Sequence, residues 1–274
     1  PALVLLCGKA CGEITREHVV LATVMEMVHT ATLIHDDVLD EASIRRHLET
    51  VNARWDNEVS VLLGDYLFAR SMCLASSLGS QFASQAISEA SGQMCEGELC
   101  QVGGQGNFDL AEEEYLRIIS GKTAALCECC CRLGAHHAGA EEEVRETLGR
   151  FGQYFGIAFQ IIDDVLDLRG AEAVSGKSLG TDLNKQKATL PVIRLLNQVG
   201  QPERAEILGI LTRLDDHRAE AIRPWLQRYD AISYAQHTAL RYIRRAQAEL
   251  DRIPPSPARE TLRELAEFVV LRDQ

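Results

Sequence analysis

The pentapeptide Asp-Asp-Val-Leu-Asp occurs twice in this chain of 274 residues, at 36–40 and at 163–167, and each copy directly follows an apolar stretch with helical periodicity. Residues i and i+4 of a helix share a face, so each copy sets its first and last aspartates side by side. Ionised carboxylates in apolar surroundings are costly unless a cation compensates them. Two such faces brought together would form an oxygen-lined cleft of the kind that holds Mg²⁺, which takes oxygen ligands.

Apolar residues recur with helical spacing along most of the chain, and no segment shows the clear alternation typical of a strand. The predicted helices are 17–40, 60–78, 81–97, 111–133, 140–168, 190–198, 203–215, 219–227, 232–252 and 258–271. Short breaks with glycine or proline separate several of them. We therefore predict an all-α fold, a single-domain bundle of about ten or more helices over 1–274, with the two acidic helices at its centre.

The formal net charge of −12 argues against nucleic acid as a partner, because no basic stripe is available to neutralise phosphates. No segment is predicted to span a membrane: the longest apolar candidate, 19–34, contains Glu26 and His29 and is expected to be a core helix. The sequence shows no signal-peptide pattern at its start.

Four of the nine cysteines crowd into the segment 127–131. They cannot pair sensibly with one another on one helix, and no Cys-x-x-Cys pair is matched by a second one. Buried, reduced thiols are therefore favoured over disulfides or a metal cluster, and a cytoplasmic location is expected.

Lysine is scarce, with 5 residues against 23 arginines, so the positions of the lysines are informative. Lys122 lies in Ser-Gly-Lys-Thr, while Lys177, Lys185 and Lys187 follow the second acidic motif, 163–167. A compact ammonium group is suited to binding a diphosphate as a point charge. We interpret Lys185 as a solvated loop residue and the other three as candidate phosphate ligands.

Arg45 and Arg46 follow the first acidic motif, 36–40, closely enough for each guanidinium group to bind two phosphate oxygens there. The motifs are accompanied by the segments 64–69, 121–123, 159–162 and 176–191. In this order they resemble the trans-polyprenyl diphosphate synthases over essentially the whole chain, and most of all the bacterial long-chain octaprenyl and solanesyl type. The resemblance implies an isoprenoid-synthase fold around a central cavity, a homodimer, and a transferase that joins isopentenyl diphosphate head-to-tail to an allylic diphosphate.

The resemblance also implies roles for individual residues. About three Mg²⁺ ions would bridge the allylic diphosphate in each active site. Their ligands would be Asp36, Asp37, Asp40, Asp163, Asp164, Asp167 and Asp182. The allylic diphosphate would be held by Arg45, Lys122, Lys177 and Lys187, and isopentenyl diphosphate by His29 and Arg46. The catalytic residues would be Lys122, Lys177, Lys187, Thr123 and Gln160, the last two close to the reacting carbons.

The sequence departs from the family pattern at two places. Family members carry Gly-Lys-x-x-Arg-Pro before the first long core helix, whereas this sequence opens at the proline of that motif, Pro1. The lysine and arginine that complete the isopentenyl diphosphate site are therefore missing from this sequence. We expect that the sequence is truncated there, and poor binding of isopentenyl diphosphate is the alternative. His47 stands where the family usually has glycine, a change expected to affect a loop more than the chemistry.

Product length is predicted from Ala31 and Thr32, which lie about one turn before Asp36. In the family, bulky aromatic residues at these positions close the cavity near a C15 product. One helical turn rises about 5.4 Å, close to one isoprene unit, so small residues leave room for further condensations. We predict products longer than C15, in the range of quinone side chains, and contact with a membrane surface for their release is compatible with this. Phe68 and Met72 are candidate floor residues, with ordinary core packing as the alternative.

Other functions are compatible with parts of this pattern. A geranylgeranyl or farnesyl diphosphate synthase would share every motif and differ only in product length. A class I terpene cyclase usually has Asn, Ser or Thr with Glu at its second metal site, and a non-catalytic subunit of a heteromeric synthase generally loses one acidic motif. His35-Asp36 is also compatible with a metal phosphohydrolase, but further His and Asp ligands are not convincingly placed.

Overall fold

The computed structural model describes residues 1–45, 47–169, 181–213 and 218–271. The fold is all-α, as predicted. The helices are α1 (Ala2–Cys11), α2 (Arg16–Leu39), α3 (Val51–Arg54), α4 (Asn57–Ser76), α5 (Gln81–Gly103), α6 (Glu112–Ile119), a π-helical turn (Ser120–Ala124), α7 (Ala125–His137), α8 (Glu142–Arg169), α9 (Thr181–Asn184), α10 (Leu190–Gln198), α11 (Gln201–Leu211), α12 (Arg218–Arg228), α13 (Ala231–Leu250) and α14 (Pro257–Leu271).

Two local elements differ from the sequence prediction. A small antiparallel hairpin pairs β1 (Ile44–Arg45) with β2 (Leu48–Glu49), where no strand was predicted, because two residues are too few to show an alternation. In the connection His47 has a φ of 64°, a backbone conformation that glycine adopts without steric cost. His47, which stands where the family usually has glycine, therefore lies in a tight turn, in line with the expectation that this change affects a loop.

The second acidic motif lies on α8, which is the central helix of the bundle. It packs against α7 on one side and against α13 on another. Leu148, Phe151, Ile161 and Ile162 of α8 are almost completely buried in the larger of two hydrophobic clusters. The prediction that this helix is central is confirmed, and its burial fixes the position of the carboxylates at its C-terminal end.

The first acidic motif ends α2, which packs mainly against α4 and also against α1 and α7. Leu21, Met25 and Val28 of α2 belong to a smaller hydrophobic cluster, in which they meet Ile87 of α5 and Leu133 of α7. The sequence analysis did not predict α1, which contacts both α2 and α7. Together α2, α5, α7 and α8 form the walls of the central cavity described below.

One face of α4 is apolar and exposed. Val59, Leu62 and Tyr66, spaced at three and four residues, have exposed fractions of 40%, 60% and 61%. By length and composition alone, α4 could cross a membrane, and 22% of the residues in its most apolar window are buried. The sequence analysis had considered only the segment 19–34 in this respect. An exposed apolar face of this kind is typical of a surface that contacts another molecule.

All nine cysteines are free thiols. Cys129, Cys130 and Cys131 are buried, and burial raises the pKa of the Cys129 thiol to about 12. Among the residues that the structure describes, no group of His, Cys, Asp and Glu side chains forms a ready-made metal cluster. The prediction of buried thiols in 127–131 is confirmed for these three, whereas Cys127 is only partly covered and lines the central cavity.

Candidate active site

The two acidic motifs face one cavity of about 1790 Å³. Asp36 and Asp40 line it from the C-terminal end of α2, and Asp163, Asp164 and Asp167 line it from α8. Asp182, on the short helix α9, lies at the same end of the cavity, where its backbone N–H donates to Asp167 Oδ2 at 3.1 Å. The structure therefore brings together carboxylates that lie more than a hundred residues apart in sequence.

Cations surround the first acidic face. Burial raises the pKa of Asp36, Lys122 and Arg45 act against that rise, and the charges of Glu98 and Asp40 add to it. Asp37 does not line the cavity: its carboxylate is buried and accepts a hydrogen bond from Arg45 Nε at 2.6 Å. The predicted metal contact of Asp37 remains a prediction, and the structure gives this residue the position of an anchor for Arg45.

Lys187 connects the two sides of the acidic end. Its Nζ lies 3.2 Å from Asp40 Oδ1 and 3.3 Å from Asp182 Oδ1. Burial alone would lower the pKa of Lys187, but the two carboxylates outweigh it and raise the pKa above its usual value. A single positive charge thus bridges the first acidic motif and Asp182, at a position where a cation is electrostatically favoured.

On the second acidic face, Asp164 is held by neutral hydrogen-bond donors. The buried Asp164 accepts from Tyr115 Oη at 2.7 Å and from Gln160 Nε2 at 2.8 Å, and Gln160 Oε1 in turn accepts from Thr123 Oγ1 at 2.7 Å. Burial and the charge of Asp182 raise the pKa of Asp164 to about 8, against the lowering by its two donors. The predicted pair Thr123 and Gln160 is therefore one hydrogen-bonded unit that ends on an acidic-motif carboxylate.

A π-helical turn in the backbone determines the position of Lys122. The sequence analysis predicted one helix over 111–133, whereas the structure interrupts it with the π-helical turn that carries Lys122 and Thr123. Such turns often occur at functional sites because they re-aim side chains within a helix. Lys122 forms an ion pair with Glu98 of α5, and both residues line the cavity.

The apolar part of the cavity continues along α2 below Asp36. His29, Ala31 and Thr32 line it, and the Thr32 hydroxyl donates to the His29 carbonyl at 2.8 Å. Phe68 also lines the cavity, whereas Met72 does not and instead packs against the smaller hydrophobic cluster. Phe68 therefore borders the cavity, its role as a floor residue remains a prediction, and Met72 is a core residue.

The remaining sequence predictions have different outcomes. Arg46 and Lys177 lie outside the described residues. Lys185, interpreted as a solvated loop residue, lines the cavity and donates to the Leu39 carbonyl at 3.1 Å, where it binds the C-terminal end of α2. The interpretation of Lys185 was wrong because sequence distance from α2 concealed this contact.

The alternative suggested by His35 has no support in the geometry. His35 Nε2 lies 3.4 Å from Asp65 Oδ1 of α4, and a β-carbon on Gly64 would lie 2.2 Å from that nitrogen. Glycine at position 64 thus lets α4 approach α2 around the imidazole. His35 is part of a helix contact, so a metal phosphohydrolase is not favoured.

Sequence analysis missed Glu98 and Tyr115, which contact predicted site residues. Neither belongs to an acidic motif, and each lies on a different helix from its partner. One signal was available for Glu98: Gly97, a helix-weakening residue within a long helix, directly precedes it.

The acidic end has the donor chemistry of a magnesium site. Its candidate ligands are carboxylate oxygens on a wide cavity, and Mg²⁺ typically takes one or two carboxylates together with substrate phosphates and water. No preformed cluster exists among the described residues, which is compatible with ligands completed by a phosphorylated substrate. The bridging position of Lys187 is a further sign that positive charge is stabilised there.

Comparison with known proteins identifies the family. The model of the polyprenyl synthetase family matches residues 1–227. The chain belongs to the polyprenyl synthetase family. It is accordingly a prenyltransferase, as the sequence resemblance implied.

Individual members of the polyprenyl synthetase family match along most of the chain. The octaprenyl diphosphate synthase of Escherichia coli (strain K12) is 36% identical over 276 residues, which cover 100% of this chain and 85% of that protein. Component 2 of the heptaprenyl diphosphate synthase of Geobacillus stearothermophilus is 38% identical over 253 residues, 92% of this chain and 78% of that protein. The crystal structure of a polyprenyl synthase from Caulobacter crescentus CB15, complexed with calcium and isoprenyl diphosphate, has a TM-score of 0.94 at 33% identity and covers 99% of this chain and 84% of that one.

Proposed function

We propose that this protein is a Mg²⁺-dependent trans-prenyltransferase that condenses isopentenyl diphosphate head-to-tail with an allylic diphosphate and releases an all-trans product longer than C15. The observation that carries the proposal is the meeting of both acidic motifs at one end of a cavity whose other end is apolar. The acidic end suits a diphosphate held through metal, and the apolar end suits a hydrocarbon tail.

Asp36, Asp40, Asp163, Asp167 and Asp182 would hold about three Mg²⁺ ions, which supply electrostatic stabilisation of the departing diphosphate. Asp164 would contribute through its hydrogen bonds, and Asp37 through Arg45. The calcium and isoprenyl diphosphate of the Caulobacter crescentus structure support a divalent metal with this class of ligand.

The residues of the chain have separate tasks in this reaction. Lys122, Lys187 and Arg45 would bind diphosphate oxygens and stabilise negative charge as the allylic C–O bond breaks. Lys177 and Arg46 have the same kind of role by family resemblance, the latter together with His29 toward isopentenyl diphosphate. Thr123 and Gln160, fixed by their mutual hydrogen bond, would lie beside the reacting carbons.

The apolar walls protect the allylic cation from water and receive the growing chain. Phe155 and Phe159 of α8, Leu126 of α7 and Met94 of α5 contribute to these walls. The Cys127 thiol lines this cavity, and its apolar surroundings raise its pKa to about 12, so it stays in the protonated form, which is less nucleophilic than a thiolate.

The small side chains of Ala31 and Thr32 support a long-chain product, in the range of quinone precursors. The similarity to octaprenyl diphosphate synthase supports the same range. A geranylgeranyl or farnesyl product is the alternative, and the experiment below distinguishes them by size.

We further propose a homodimer in which a second copy covers the exposed apolar face of α4. Val59, Leu62 and Tyr66 offer a contiguous surface for a copy related by a two-fold axis. The name of the Geobacillus stearothermophilus relative, component 2, raises a heteromer as the other assembly. Sedimentation of the purified chain should give twice the chain mass, and a stable monomer would contradict the homodimer.

A single domain over 1–274 and a cytoplasmic location complete the proposal. All nine thiols are free, which suits a reducing compartment.

The decisive experiment supplies the purified protein with Mg²⁺, isopentenyl diphosphate and allylic primers from C5 to C20, followed by chromatographic sizing of the products. We expect elongation beyond C15, abolished by a chelator and restored by Mg²⁺. Release of a cyclic hydrocarbon would indicate a terpene cyclase, and complete inactivity that a second protein component restores would indicate a subunit of a heteromeric synthase.

A further inference from the structure

The backbone of Lys122 is fixed directly against α5. A β-carbon added to Gly97 would lie 2.5 Å from the backbone nitrogen of Lys122, and one added to Gly121 would lie 2.9 Å from the Gln93 carbonyl oxygen. Two glycines thus allow the π-helical turn and α5 to touch through their main chains. The position of the Lys122 ammonium is therefore decided by its side chain alone.

That ammonium forms an ion pair with Glu98, one residue beyond Gly97. The two side chains are well covered, with exposed fractions of 18% for Lys122 and 20% for Glu98. Gln101 Nε2 donates to Glu98 Oε1 at 3.1 Å, which orients the carboxylate from the same helix. Glu98 is consequently a fixed anion and Lys122 the flexible partner.

Asp36, Glu98 and Lys122 line the same cavity, and Lys122 is paired with Glu98 rather than with Asp36. The flexible Lys122 stem therefore has two carboxylates to choose between, Glu98 and the first acidic face. An ammonium drawn onto Asp36 would compete with Mg²⁺ for the same oxygens.

We propose that Glu98 is a positioning residue that holds the Lys122 ammonium off Asp36 in the substrate-free cavity, so that the first acidic face stays open to Mg²⁺. The inference rests on the proposed function, because that function makes Asp36 a metal ligand and Lys122 a diphosphate ligand. An incoming diphosphate carries more negative charge than one carboxylate, so the flexible Lys122 stem can then leave Glu98 for the substrate.

The test measures Mg²⁺ binding to the substrate-free protein by titration calorimetry, for the wild type, Glu98→Gln, Lys122→Gln and the double variant. Glu98→Gln should weaken Mg²⁺ binding by about tenfold, because the released ammonium occupies Asp36. In the Lys122→Gln background, Glu98→Gln should alter Mg²⁺ affinity by no more than about twofold, because it then removes only one nearby negative charge and releases no ammonium group. Glu96→Gln, at an exposed site on the same helix, is the matched control and should leave binding unchanged.

A second readout separates positioning from a general structural role. In steady-state elongation assays, Glu98→Gln should recover most of its kcat when Mg²⁺ is raised about tenfold, because Mg²⁺ then displaces the ammonium from Asp36. Glu98→Asp, which keeps the charge, should bind Mg²⁺ more tightly than Glu98→Gln. It also serves as the substitute variant if Glu98→Gln fails to fold.

Two results would overturn the proposal. An equal loss of Mg²⁺ affinity in both backgrounds would make Glu98 a metal ligand in its own right, and unchanged affinity in Glu98→Gln would show that Lys122 does not compete for Asp36. Failure of the proposed function is a separate outcome, since it requires that the wild type elongates no primer, whatever the Mg²⁺ titrations give.

Discussion

The two copies of Asp-Asp-Val-Leu-Asp have the same sequence but different surroundings. The copy on α2 is contacted mainly by cations: Arg45 binds Asp37 and Lys187 binds Asp40. In the copy on α8, Asp164 is held by the uncharged donors Tyr115 and Gln160. Asp37, the second aspartate of the first copy, therefore faces away from the cavity, whereas its counterpart Asp164 in the second copy lines it. Identical sequence thus fixes which carboxylates share a helix face, whereas the packed neighbours decide what each carboxylate does.

This difference has a functional consequence. The first copy lines the charged end of the cavity, and Ala31 and Thr32 on the same helix line its apolar wall. In the second copy, Asp164 is hydrogen-bonded to Gln160, which is hydrogen-bonded to Thr123. Gln160 and Thr123 are the residues proposed to lie beside the reacting carbons. We infer that changes around the first copy affect product length as well as rate, and that changes around the second affect mainly rate.

The largest effect is expected where the two copies are alike. Asp36→Asn and Asp163→Asn should each lower kcat by about a thousandfold, because each removes a carboxylate that supports charge on the departing diphosphate. Elongation rates at saturating Mg²⁺ and substrates check this. A loss confined to one of the two variants would show that only one acidic face takes part.

A smaller effect should separate the two middle aspartates. Asp164→Asn should lower kcat by about tenfold, because the amide disturbs the Gln160 and Thr123 unit at the cavity. Asp37→Asn should instead lower the free energy of unfolding by about 1–2 kcal/mol, since it weakens a largely buried charged hydrogen bond to Arg45. Paired measurements of kcat and denaturant unfolding test the contrast, and equal kcat losses in the two variants would contradict it.

Product length should respond to the first copy alone. Thr32→Phe fills the cavity one turn below Asp36 and should shorten the products toward C15 while the rate of the first condensation stays within about threefold of the wild type. Met72→Phe is the matched control, because Met72 lies outside the cavity lining. Unchanged product length in Thr32→Phe would place the tunnel elsewhere.

The smallest effect concerns the cysteines, which should not disturb either copy. Burial raises the pKa of Cys127 and of Cys129 to about 12, so both are protonated at pH 8, whereas Cys73 and Cys95 are exposed. Iodoacetamide at pH 8 should therefore label Cys73 and Cys95 first, as followed by peptide mass spectrometry. Rapid labelling of Cys129 in the native protein would contradict the buried packing of α7.

The sequence was sufficient to predict the all-α fold and the cavity-lining aspartates, because helical periodicity and i, i+4 spacing are local properties. Features that depend on contacts between helices could not be predicted in this way. Asp37 is adjacent to Asp36, and only the position of Arg45 after the chain turns back shows that its carboxylate faces away. Glu98, Tyr115 and Lys185 each act on a residue of another segment, so no local pattern marks them.

Backbone irregularities were also beyond the reach of the sequence pattern. The π-helical turn at Ser120–Ala124 lies within a stretch whose apolar spacing predicts an uninterrupted helix. Gly97 and Gly121 approach each other closely at this turn across two helices, which becomes visible only when the main chains are packed together. The same packing explains why Lys122 meets Glu98.

The central claim is that the two acidic motifs are opposite walls of one metal–diphosphate site. The most direct test is a crystal structure of this protein with Mg²⁺ and a non-hydrolysable allylic diphosphate analogue. We expect metal ions bound to Asp36 or Asp40 on one wall and to Asp163 or Asp167 on the other, with the diphosphate between them and Lys122 turned from Glu98 to its oxygens. Metal bound at only one motif, or a diphosphate held outside the cavity, would contradict it.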